Sequence, residues 1–379
     1  MRWILRNRRF LAVSVSAIVL GTGANALLSV CGPFTDVAAD AFCPFVREIF
    51  YLGITTGTTP TTYDPSGNVT RLQMAAFLSR TVDAAARRSS RRLVLERLWF
   101  PVPRIGILGS SAPRLIKSDG ADLWIAIFGD GSVIRMRASD FKYLETWTGA
   151  TAAVGVLVEG GGIFITGSLA PGVLYGILPS MSAGAVTTLT TNLGDYPAGI
   201  AFDGAQFWTA NVGSVTRVYG QFPWTATTVS AGFSAPLGLL YDGASIWATD
   251  QSLLRLDPVG GITQTVTVGS GPQFPVFDGS NIWVPNAGSN SVSVVRASTG
   301  VVLATLSGNG LNGPTSAAFD GERILVTNPA GDSASLWRAS DLAAFGVVQL
   351  PANSGPYGAC SDGLSFWVTM KDSNSLGRF

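Results

Sequence analysis

The side chains best placed to do chemistry in this chain are six aspartates and one glutamate in a recurring setting. Asp119, Asp203, Asp242, Asp278, Asp320 and Asp362 each precede a glycine, and Glu159-Gly160 takes the same place once. Carboxylates serve as general acids or bases, or hold a hard cation such as Ca²⁺ through oxygen. A calcium loop packs several oxygens into a few residues, however, and no Asp-x-Asp-x-Asp run occurs. Nor is there a histidine anywhere. That excludes a Ser-His-Asp triad, a Cys-His pair, an HExxH zinc site and any imidazole proton shuttle. No catalytic set, metal motif or cofactor emerges, and the remaining catalytic alternative is a His-free, metal-dependent lyase or hydrolase working through carboxylates.

The elements around the acids explain them more simply. An apolar run precedes each acid and a second follows, usually built around Trp or Phe; Trp124, Trp208, Trp247, Trp283 and Trp367 hold equivalent places. The steps between acids are 40, 44, 39, 36, 42 and 42 residues. A period near forty made of short strands and turns is the pattern of β-propeller blades. The best copies, at residues 275–305 and 317–350, read as four short strands each. Seven such units are expected, and the last stops one strand short at Phe379. The missing outer strand is expected from Arg97–Ile107, which would close the ring without an open edge. The fold class is therefore all-β, a seven-bladed propeller of four-stranded antiparallel blades over residues 95–379. Asp-Gly suits hairpin turns with positive φ. The tryptophans are expected to pack between blades, and Asn211, Asp250, Asn286 and Asn328 to cap the turns after the second strands.

The fullest copy, Pro197 to Asn211, nearly completes the pattern Pro-x-Gly-φ-φ-φ-Asp-Gly-x-x-φ-Trp-φ-Thr-Asn, with φ apolar. This resembles NHL-type and YVTN-type propellers and, more loosely, the streptogramin lyases. The resemblance implies the fold. The lyase chemistry of that family rests on a histidine base, which this chain lacks, so no activity carries over.

Apolar residues make up 47% of the 379 and charged residues 13%, enough to bury a large core. The net charge of +1 is unevenly spread: residues 1–114 carry 14 Arg and 6 acids, residues 115–379 carry 11 basic and 18 acidic side chains. A mildly acidic propeller argues against nucleic acid as a partner.

A basic start, Met1 to Arg9, precedes the apolar stretch Phe10–Leu20 and the small residues Ala24-Asn25-Ala26. This reads as a signal peptide over residues 1–26, with an extracytoplasmic, secreted product; an uncleaved N-terminal membrane anchor is the alternative. In an oxidising compartment Cys31 and Cys43 could form a disulfide, while Cys360 reads as a buried apolar residue.

Residues 27–85 read as a small helical module. Ala41–Leu52 is expected to be an amphipathic helix with Phe42, Phe45, Ile49 and Leu52 on one face, closed by Gly53. A second helix begins near Val69-Thr70-Arg71, turns Met74, Phe77 and Leu78 inward, and opens with a capping box between Thr70 and Gln73. Phe34-Thr-Asp36-Val37, Leu52-Gly53-Ile54, Gly57, Tyr63-Asp-Pro65 and Val69-Thr70-Arg71 through Leu78 together resemble one S-layer homology motif. That resemblance implies attachment to cell-wall or envelope polysaccharide, with Thr70, Arg71 and Gln73 as the binding residues. The family's usual Thr-Arg-Ala-Glu is here Thr70-Arg71-Leu72-Gln73, and one module stands where three are common. An Arg-rich linker, residues 86–94, reads as a solvated face or a contact to acidic glycan or headgroups. The expected function is a wall-associated surface protein whose propeller binds an unknown protein, glycan or small molecule. A structural envelope scaffold is the other non-enzymatic reading.

Overall fold

An Asp-Gly step turns a hairpin only if the glycine takes a left-handed backbone. All six do, with φ from +86° at Gly363 to +99° at Gly204. Nothing crowds Gly120, Gly204, Gly243, Gly279 or Gly363, so these glycines are required by backbone conformation rather than by space. In the computed structural model, which describes residues 34–38, 42–51, 54–59, 61–85, 104–179 and 181–379, each such turn joins an inner strand to a second strand. Ile200–Phe202, Gln206–Asn211, Ser214–Tyr219 and Ala226–Val229 show the plan, each antiparallel to the next. Seven four-stranded sheets repeat it: blade I over residues 113–148, II over 153–193, III over 200–229, IV over 239–266, V over 276–307, VI over 317–349 and VII over 356–378.

Blade VII takes its fourth strand from the other end of the sequence. Arg104–Ile107 pairs antiparallel with Ser375–Arg378, from Arg104 opposite Arg378 to Ile107 opposite Ser375. One blade thus holds both ends of the propeller, so the ring cannot open without breaking a sheet.

The second strands are its driest part. Leu123, Ile125, Ile127, Trp208, Trp247, Trp283, Ile324, Val326 and Trp367 are buried, in clusters that each draw on two neighbouring blades. Burying one such side chain contributes roughly 1.5–3 kcal/mol. Most polar groups in the blades are matched, although Arg217 Nε and Asn286 Oδ1 are buried without a partner among the described residues. The hydroxyl seven residues beyond the acid accepts the amide of its own inner strand and donates to the inner-strand carbonyl of the next blade. Thr166 joins Gly155 N to Ala198 O, and Thr249 joins Gly238 N to Gln273 O. Thr327 joins Ser316 N to Tyr357 O, and Thr369 joins Gly358 N to Arg114 O across the closure. Blade I has Ala126 at that position, and blades III and V have Ala210 and Pro285. In the latter two the inner strands meet directly, Gly199 N bonding Leu237 O at 2.8 Å and Phe274 N bonding Thr315 O at 3.0 Å. A Cβ on Gly199 would lie 2.5 Å from Leu237 O, so the close approach needs glycine.

The N-terminal residues form a separate unit, Met1–Trp99, distinct from the propeller unit, Phe100–Phe379. Its helices are α1, Cys43–Tyr51, and α2, Arg71–Ala85. Phe34 is buried at its centre among Cys43, Val46, Val37, Phe50 and Tyr63, edge-on to Phe50. The inward face of α1 therefore differs from the expected one. Phe42 and Phe45 are 72% and 62% exposed, and Cys43 and Val46 turn inward instead. Cys43 is disulfide-bonded, and that tether together with Phe34 selects the face. On α2, Met74 and Leu78 are exposed rather than inward and Phe77 is half-buried. Among the described residues no helix is long and apolar enough to cross a membrane. The signal segment, Cys31 and the Arg-rich linker lie outside the described residues.

Candidate functional site

Each repeat aspartate is occupied by its own blade. Asp203 Oδ1 accepts the amides of Ala205 and Gln206 at 2.8 and 2.7 Å, and Oδ2 accepts the Trp208 indole N–H at 2.7 Å. The same three bonds recur at Asp119 with Trp124, Asp242 with Trp247, Asp278 with Trp283 and Asp362 with Trp367. In blade VI, Leu325 replaces the tryptophan, and the buried Asp320 carboxylate pairs with Arg323 at 2.8 Å. Blade II has Glu159 and Phe164 instead, and Phe164 stacks on Phe207 of blade III at 4.1 Å. Partial burial works against ionisation of Asp119, but the Trp124, Asp122 and Ala121 hydrogen bonds outweigh it and hold its pKa below the usual range. These are turn-to-indole clamps. Among the described residues no group of three or more acidic or cysteine side chains is placed to hold a metal.

The indole clamp was not read from the sequence, although its signal is there: the acid and the tryptophan are always five residues apart. An arginine stacks on the far side of several indoles, Arg135 over Trp124, Arg217 over Trp208, Arg255 over Trp247 and Arg378 over Trp367. Asn211, Asn286 and Asn328 are fully buried and bond to hydroxyls of the third strand, while Asp250 accepts the Ser234 and Ala235 amides.

Val154, Ala198 and Phe274 meet with Leu115, Leu237 and Tyr357, and about 40 Å³ remains beside the inner strands. Lys117 lines that space, although the same position holds Leu157, Ala201, Leu240, Val276, Ala318 and Cys360 in the other blades. Lys117 is exposed overall, yet the protein packed around its side chain pushes its pKa down. Burial likewise pushes the Cys360 thiol pKa up. Larger open space lies between the blades, in grooves of 260, 840 and 490 Å³ at blades I/II, III/IV and IV/V. Phe222 is 89% exposed, whereas Trp224 packs near Phe164 and Phe207.

On the N-terminal unit, Thr70, Arg71 and Gln73 are brought together at the start of α2, all exposed. Gln73 Oε1 accepts Thr70 N at 2.8 Å, and Thr70 Oγ1 accepts Gln73 N at 3.2 Å. These reciprocal bonds satisfy two groups the helix leaves open. Arg71 is the first residue of the helix, its cation beside the positive end of the backbone dipole. That arrangement favours an anion. Asp36 anchors the loop before α2 by accepting the Tyr63 and Asp64 amides, and those bonds lower its pKa.

Comparison with known proteins separates the two units in the same way. Residues 33–75 match the S-layer homology domain family. The propeller is similar to virginiamycin B lyase from Staphylococcus aureus, with a TM-score of 0.62 and 16% identity over 73% of this chain and 98% of that one. It is similar to a streptogramin B lyase at 0.60 and 17%, covering 73% and 97%. It is also similar to the WD40 propeller domain of Doa1 at 0.61 and 13%, covering 72% and 93%. At such identities the likeness is one of fold. No curated protein matches the chain. The chain therefore joins an S-layer homology domain to a seven-bladed propeller, and that domain marks a cell-surface or cell-wall-associated protein.

Proposed function

We propose that the protein is exported and held at the envelope by its S-layer homology domain, which binds acidic groups of envelope polysaccharide, while the propeller acts as the displayed binding platform. The observation that carries this reading is the exposed Arg71 at the capped start of α2, inside the matched domain. Its guanidinium can form paired hydrogen bonds to a carboxylate or phosphate beside helix amides that also prefer an anion. The Thr70–Gln73 box fixes the helix start and so the origin of the Arg71 side chain. A second reading, an envelope scaffold, draws support from the repeat carboxylates, each occupied within its own blade.

Co-sedimentation with purified cell-wall sacculi tests the first reading. The chain from residue 27 onward should pellet, Arg71→Ala should stay largely in the supernatant, and a chain lacking residues 27–99 should not pellet. Pelleting by the propeller alone would move the wall contact to the blades. No pelleting by any form would refute anchoring.

A further inference from the structure

Blade IV carries an arginine from which both neutralising acids have been removed, and that arginine faces an open groove. In blade I, the equivalent Arg135 is held by Asp122 at 2.7 Å and Glu145 at 3.1 Å. The matching partners in blade IV are Ser245, three residues after the acid, and Gln264, opposite Arg255 in the outer strand. Both are neutral. Arg255 is nevertheless fixed: its Nε donates to Ser245 Oγ at 2.9 Å, and its guanidinium stacks on Trp247, 5.5 Å from the ring centre. Trp247 is itself clamped by Asp242. Arg217 of blade III and Arg378 of blade VII also lack acids, but Arg217 Nη1 is covered by Pro258 O at 3.0 Å, and Arg378, bonded to Ser365, lies opposite Arg104 of the closing strand. No protein acceptor covers the terminal nitrogens of Arg255 among the described residues.

The groove beside Arg255, between blades IV and V, has a volume of 490 Å³ and holds a second unpaired cation, the exposed Arg296, with Ser280, Asn281 and Ser298. Neither arginine forms an ion pair among the described residues. The acid in this groove, Asp242, already accepts three hydrogen bonds. Adjoining it at Ala244 is the 840 Å³ groove between blades III and IV, with Tyr241, Gln206, Thr263 and Gln264 and two acids, Asp203 and Asp257, whose carboxylates accept hydrogen bonds within their own blades. Both grooves share Ala244 and Arg255. Each is in the size range of small-ligand sites.

We infer that the two grooves over blade IV form one extended site for an acidic oligosaccharide, with a sugar carboxylate on Arg255 and Arg296 and neutral sugar units over Ala244 toward Tyr241. Two unneutralised guanidinium groups lining one groove, Arg255 held by Ser245 and Trp247 and Arg296 exposed, suit a planar carboxylate. Amide and hydroxyl side chains beside an aromatic ring suit sugar hydroxyls and ring faces. The propeller's excess of acids, 18 against 11 basic residues from 115 onward, opposes a densely charged polyanion. Isolated carboxylates on an otherwise neutral chain avoid that repulsion. The inference rests on the reading of the propeller as a binding platform, not on the anchoring by Arg71.

Calorimetric titration of the full chain from residue 27 with glucuronosyl-xylobiose, a trisaccharide with one carboxylate and two neutral units, tests it, with xylotriose and hexaglutamate as companions. Glucuronosyl-xylobiose should bind, weaken with added salt, and lose at least tenfold in affinity in Arg255→Gln and in Arg296→Gln. Ala244→Trp, in an exposed turn that leaves both arginines intact, should block binding without lowering the melting temperature. This variant decides the matter if Arg255→Gln fails to fold. Xylotriose should bind far more weakly. Absent binding of glucuronosyl-xylobiose, binding unchanged by Ala244→Trp and Arg296→Gln, or equal binding of hexaglutamate would each overturn the proposal, the last in favour of an acidic peptide partner. A chain that pellets with sacculi yet ignores glucuronosyl-xylobiose sinks the groove alone, and the reverse result sinks the anchor alone.

Discussion

Trp208→Phe and Asp203→Asn, made singly and together, measure the bond that ties each turn to its second strand. The indole N–H donates to Asp203 Oδ2 at 2.7 Å, and Trp208 is buried while Asp203 is half-buried. A hydrogen bond to a charged group contributes about 1.5–3 kcal/mol, and partial exposure of the carboxylate places this one near the lower end. The amide side chain of the Asp203→Asn variant would keep one oxygen for the Ala205 and Gln206 amides. Its NH₂ would then face the indole N–H, donor against donor, so Asp203→Asn should cost about 2 kcal/mol. Trp208→Phe should cost about 3 kcal/mol, because it loses the bond and leaves a void. The coupling energy from the double variant should be about 1.5 kcal/mol. Urea unfolding followed by both fluorescence and far-UV dichroism gives these values, provided the two transitions coincide. A coupling below about 0.5 kcal/mol would refute the clamp. So would stabilisation of the wild-type chain by millimolar Ca²⁺ that Asp203→Asn abolishes, since the carboxylate would then serve a cation.

Three further outcomes follow from the geometry. Thr369→Val should cost about 2–4 kcal/mol, because it orphans the buried Gly358 amide and Arg114 carbonyl at the ring closure; Thr209→Val, which loses a bond to Asn211 alone, should cost less, and the reverse order in urea unfolding would discredit the interblade stitch. Lys117→Met should stabilise the propeller at neutral pH, read as a higher melting temperature. Because the folded pKa of Lys117 lies below 10.5, the unfolded chain binds its proton more tightly, so this lysine adds stability as pH rises from the lowered value through 10.5. Cys360 acts oppositely, its raised pKa withdrawing stability above pH 9.0; Lys117→Met should therefore show a steeper alkaline decline than wild type, and an unchanged profile would count against the crowding around Lys117. For the N-terminal unit, the lowered pKa of Asp36 contributes stability that is present above pH 3.8 and lost as pH falls through the lowered value; Asp36→Asn should flatten that acid limb, followed by the Tyr63 amide resonance, and an identical limb would refute the loop anchor.

What was legible in the sequence was whatever repeats locally. Asp-Gly steps near a forty-residue period carry their own turn geometry, so seven blades could be counted, and the shortfall at Phe379 pointed back to a strand ending at Ile107. Helix faces were harder. Phe42, Phe45 and Ile49 make a plausible apolar stripe, but Phe34 and the Cys43 disulfide, which lie outside that periodicity, set which side turns inward. Interblade partners were invisible for a related reason. Thr166 bonds Ala198 and Thr369 bonds Arg114, 32 and 255 residues away, and no local pattern reports such pairs. Function lies at a third level, in departures from the repeat. The clamp of acid, indole and arginine explains why those residues recur, and so removes them from the list of ligand-binding candidates. What remains are places where the clamp is kept but its neutralising acids are not; at blade IV, Asp122 and Glu145 become Ser245 and Gln264, while the arginine between them stays and lines an open groove. The Ser245 bond and the Trp247 ring hold that cation in the blade while leaving its terminal nitrogens open to the groove, so an anion from outside can complete the site, which is why Arg255 is the propeller residue to change first.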